Sequence, residues 1–151
     1  MSRRKTKNVA IMVGLLLGTA GIARLVGVEA TLAGRIGIVA VFALTAIGPW
    51  GKSDEIAATH PAWTPARPKI VVLSGWLELA LAILVLVPAH VKIAGGALCI
   101  FLGLVSPVNV HAAIKRIDFG GHRAGPRYLW VRLPLQLLLL GWTYWFAVRL
   151  E

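Results

Sequence analysis

Five apolar stretches, each close to 20 residues long and separated by short segments where the charges gather, constrain this chain more than any other feature. A helix needs about 20 residues to cross a hydrocarbon layer about 30 Å thick, because each residue advances about 1.5 Å. The spacing predicts membrane-spanning helices over 9–26, 32–48, 70–87, 91–113 and 128–148, within a single membrane domain covering 1–151. The expected fold class is all-α, a bundle of about five transmembrane helices.

The breaks between the stretches have chemical causes. Gly27-Val-Glu-Ala-Thr31 is a short turn, Pro49 ends the second stretch, and Pro88-Ala-His90 separates the third from the fourth. Between Trp50 and Lys69, Pro61, Pro65 and Pro68 predict a loop rather than a regular helix, and Trp50 and Trp63 predict that it lies along the membrane surface.

Composition separates two classes of partner. The formal net charge of +10 raises nucleic acid, yet most Lys and Arg residues sit at the ends of apolar runs, with no basic face studded with aromatics. The chain is 58% hydrophobic and 15% charged, against roughly 25% charged in soluble domains. The lipid bilayer is the expected partner and nucleic acid is not. Cys99 is the only cysteine, so the chain cannot run dithiol chemistry alone. The start, Met1-Ser-Arg-Arg-Lys-Thr-Lys7, has the charge of a signal peptide but no clear small-x-small cleavage site after its apolar run, and is read as an uncleaved first span.

Orientation follows from the excess of Lys and Arg in cytoplasmic segments. Arg3, Arg4, Lys5 and Lys7 precede the first stretch, Lys52, Arg67 and Lys69 join the second to the third, and Lys115, Arg116, Arg123 and Arg127 join the fourth to the fifth. The other side offers Lys92 and Arg149. The expected location is the inner (plasma) membrane, multi-pass, with the amino terminus cytoplasmic and the carboxyl terminus outside.

Polar side chains inside such spans are costly, about 3 kcal/mol for a charge at the bilayer centre, and so mark sites. Counted inward from Lys69 and Arg127, Ser74 and Arg132 are each five residues deep, and Glu78 and Gln136 each nine, about 13 Å. The i, i+4 spacing puts Ser74 and Glu78 on one face and Arg132 and Gln136 on another. Asn109, about 9 Å from Lys115, reaches the level of Arg132. Ser74, Glu78, Asn109, Arg132 and Gln136 are the candidate buried polar cluster, in which Arg132 pairs with Glu78 and Arg35 is the alternative cation. Two readings stay open: interhelical bonds that fix register, or a site for a proton, quinone or other small ligand. Arg24 and Arg35, near the opposite ends, are expected to snorkel to the interface.

Other chemistry is poorly supported. His60, His90, His111 and His122 lack the spacing of a helical metal site, and no metal is expected. Gly-x-Ser-x-Gly, phosphate-loop and dinucleotide patterns are absent, so no catalytic residues are assigned. Gly14-Leu-Leu-Leu-Gly18 could seat another helix, including one from a second copy in a homo-oligomer.

In order along the chain stand Pro61-Ala-Trp-Thr-Pro65, Leu73-Ser-Gly-Trp-Leu-Glu78, Ser106-Pro-Val-Asn109 and Trp130-Val-Arg-Leu-Pro-Leu-Gln136. This ordered set, over about Arg35 to Phe146, resembles the DoxX-like family of small integral membrane proteins. The resemblance implies a compact four-helix core with one added helix at the amino terminus. It also implies association with membrane redox systems, with a quinone as the expected non-covalent cofactor and oxidoreductase subunits as partners. The positions it carries over are Ser74, Glu78, Pro107, Asn109, Arg132, Pro134 and Gln136. Gly48-Pro-Trp50 stands where the family pattern has a His-Phe pair, so an activity needing that histidine does not transfer.

The leading expectation is an accessory or quinone-proximal subunit of a membrane redox system, without independent catalysis. The alternatives are a carrier or binding protein for a small hydrophobic molecule, and a purely structural membrane scaffold.

Overall fold

The structure is a computed structural model that describes residues 3–47, 57, 66–115 and 129–150. Among the described residues the regular elements are all helical. They are α1 (Arg3–Leu25), α2 (Ala30–Ile47), α3 (Arg67–Leu84), α4 (Val91–Ile114) and α5 (Leu129–Tyr144), the last running into a π-helical turn at Trp145–Arg149. The loop expected between Trp50 and Lys69 lies mostly outside the described residues.

Local chemistry explains the ends. The chain leaves α1 through Gly27, whose φ of 87° suits a residue without a Cβ. The Val28 amide donates to the Ala23 carbonyl at 2.9 Å and the Gly27 amide to that of Arg24 at 3.1 Å, the bonding of a Schellman cap. Pro68, expected in the loop, belongs instead to the first turn of α3, where a missing N–H costs no helical bond. That helix stops at Leu84, three residues before the predicted end. The Leu86, Val87 and His90 amides close turns onto Ile83, Leu84 and Val87, and Pro88 sits within them.

α2, α3, α4 and α5 form a ring of sequential neighbours, closed where α5 and its π-helical turn return to α2, and α1 lies mainly against α2. Leu16, Ile38, Val41, Phe42, Ala82, Val85, Leu98, Leu102, Leu135 and Leu139 fill the shared interior. Close approach is made by glycine. A Cβ on Gly37 would fall 2.8 Å from the Leu16 carbonyl oxygen, and one on Gly95 2.6 Å from Ala147 Cβ. A Cβ on Gly34 would enter the Phe146 ring. By contrast, Cβ atoms on Gly14 and Gly18 would meet nothing within 4 Å, so the Gly-xxx-Gly pair of α1 takes no part in packing the bundle.

The surface is unusually apolar. Leu73, Ile93, Ile100, Leu104 and Leu137 are all exposed, and Trp130 is 83% exposed. Among the described residues, Val91–His111 is the one helical segment both long and apolar enough to cross a membrane, while Ala10–Leu25 and Ala30–Ala46 are apolar but shorter. α3 and α5 are diluted by the groups that form the polar cluster, Glu78 in one and Arg132 and Gln136 in the other.

Candidate functional site

α4 and α5 run antiparallel, since the Cys99 thiol reaches the Leu140 carbonyl while Gly95 abuts Ala147. That register brings Asn109 opposite Gln136. The Asn109 Nδ2 donates to Gln136 Oε1 at 3.2 Å. Gln136 Nε2 donates both to Ser106 Oγ, at 3.0 Å, and to the Leu102 carbonyl. Ser106 in turn donates to Leu102 at 3.0 Å.

Pro107 inside α4 has no N–H, so the Gly103 carbonyl four residues earlier loses its helical donor. Gln136, 6% exposed, bonds the neighbouring Leu102 carbonyl and Ser106 from α5. Both its amide hydrogens and its oxygen are engaged, so it has little left to offer a ligand. Its arrangement favours a structural task, holding α5 to α4.

One helical turn earlier on the same face of α5, Arg132 approaches Glu78 of α3 and acts on the carboxylate through its charge. Thr45 of α2 stands beside the same carboxylate, and its hydroxyl donates to the Phe42 carbonyl of its own helix at 3.0 Å.

Of the five predicted site residues, Glu78, Arg132, Asn109 and Gln136 converge on one half of the bundle. Ser74 does not join them through a bond, because its hydroxyl donates to the Val71 carbonyl of its own helix at 2.9 Å. Thr45 and Ser106 were not among the predicted five. Neither carried a local signal: Ser106 is one hydroxyl in an apolar helix and Thr45 another.

Two predictions at the opposite end need correction. Arg35 does not snorkel: it is 6% exposed, and its Nε donates to the Phe146 carbonyl at 3.0 Å. The π-helical turn, which departs from the ordinary i to i−4 ladder, presents that carbonyl to α2. Arg35 also lies ten residues from Thr45 along α2, about 15 Å, so Thr45 and Arg132, not Arg35, attend Glu78. Trp142 stands near the end of the last apolar stretch with Tyr144 and Trp145, where an interfacial aromatic belt is expected, but it turns inward. Its indole N–H donates to the Gly34 carbonyl at 3.0 Å and its ring lies 4.8 Å from that of Phe146. Arg24 bonds the Val28 carbonyl at 2.8 Å and acts as a local cap.

Among the described residues no three His, Cys, Asp or Glu side chains gather into a metal-binding group, and His60 and His122 lie outside those residues. No curated protein and no solved structure matches the chain. A family match does exist, starting at Ile38 within α2, leaving out all of α1, and ending at Ala147. Because residues 38–147 make up most of the 151, the chain belongs to the family described as Domain of unknown function (DUF8561).

Proposed function

We propose that this chain is a multi-pass protein of the plasma membrane that binds the polar head of a small hydrophobic molecule at Glu78, Thr45 and Arg132, as a quinone-proximal accessory subunit of a membrane redox system. The single observation that carries the reading is a carboxylate held inside an apolar bundle with a hydroxyl and a guanidinium beside it. Ionisable groups in such surroundings are expensive and are retained chiefly where they pair or meet a ligand.

The membrane part draws support from the exposed Leu, Ile and Trp side chains, since hydration of so much apolar surface costs roughly 25 cal/mol per Å². Helix length supports it too: α4, with 24 residues, is about 36 Å long, and the 18 residues of α2 and of α3 reach about 27 Å each. Five such passes put the termini on opposite sides, with the basic segments cytoplasmic. The redox part rests on the ordered residues that resemble the DoxX-like family. A binding or carrier role for a different apolar molecule uses the same three side chains, whereas a scaffold needs only the Gln136 network.

The test is binding of a short-chain benzoquinone to the detergent-purified chain, followed by quenching of tryptophan fluorescence. Saturable quenching is expected, weakened at least tenfold, about 1.4 kcal/mol, in Glu78→Gln and Arg132→Leu, with Ser74→Ala unchanged. Failure of the wild type to saturate, or equal binding by the variants, contradicts the quinone assignment.

A further inference from the structure

We draw no further inference here: the strongest candidate, the outward face of α1 where Gly14, Gly18 and Gly21 stand open among the exposed Ile11, Leu17 and Ile22, is an apolar stripe of small residues, and nothing in the structure shows what covers it.

Discussion

The two ends of the helix ring are held together by different means. At one end, α2, α4 and the π-helical turn of α5 approach so closely that Gly34 and Gly95 leave no room for a side chain, and Trp142 and Arg35 bond backbone carbonyls. At the other, the side chains of Gln136, Asn109 and Ser106 bridge α4 and α5, while Thr45, Glu78 and Arg132 meet across three helices. Where apolar surface outside the bundle weakens the hydrophobic incentive to pack, helices adhere through close backbone contact and interhelical hydrogen bonds. This chain separates the two means in space.

The contrast can be broken at either end. The largest effect is expected at the glycine end: Gly95→Leu drives a side chain into Ala147 and costs about 3 kcal/mol, despite the better helix propensity of leucine. Its control is Gly103→Ala, which enters open space and should be neutral or stabilising by up to about 1 kcal/mol. Unfolding by sodium dodecyl sulfate, followed by circular dichroism, reads both, and equal behaviour would remove the distinction between packed and open glycines.

At the polar end, Gln136→Leu strips three hydrogen bonds and leaves the Asn109 amide and Ser106 without this partner. The expected loss is about 2 kcal/mol in the same titration. A loss much below 1 kcal/mol would mean that the Gln136 network does not hold α5 to α4. Smallest of all, Ser74→Ala removes a hydroxyl bonded within its own helix and should change stability by less than about 0.5 kcal/mol. A larger loss would place Ser74 in the cluster after all.

Helix positions were legible because they depend on counting residues along a regular helix. The same counting put Asn109 level with Arg132, one turn from Gln136, the residue it bonds, so depth was legible only to about a turn. Pairings that depend on one specific neighbour were not legible. Nothing local marks Gly95 as packed and Gly103 as open. Arg35 turns inward because a π-helical turn more than 100 residues away presents the Phe146 carbonyl, and snorkelling was the reasonable expectation without it. Trp142 misled for a similar reason: an aromatic near the end of an apolar helix fits a belt as well as a bond to the Gly34 carbonyl.

The central claim is that hydrocarbon, rather than water, covers the exposed apolar faces. A spin label at Leu104→Cys in a Cys99→Ala background, with the chain reconstituted in phosphatidylcholine vesicles containing phosphatidylglycerol, measures this through collisions with oxygen and with a water-soluble nickel chelate. Oxygen should dominate at Leu104, whereas the chelate should dominate for a label at Lys115→Cys. Equal access of the chelate to both positions would contradict the account.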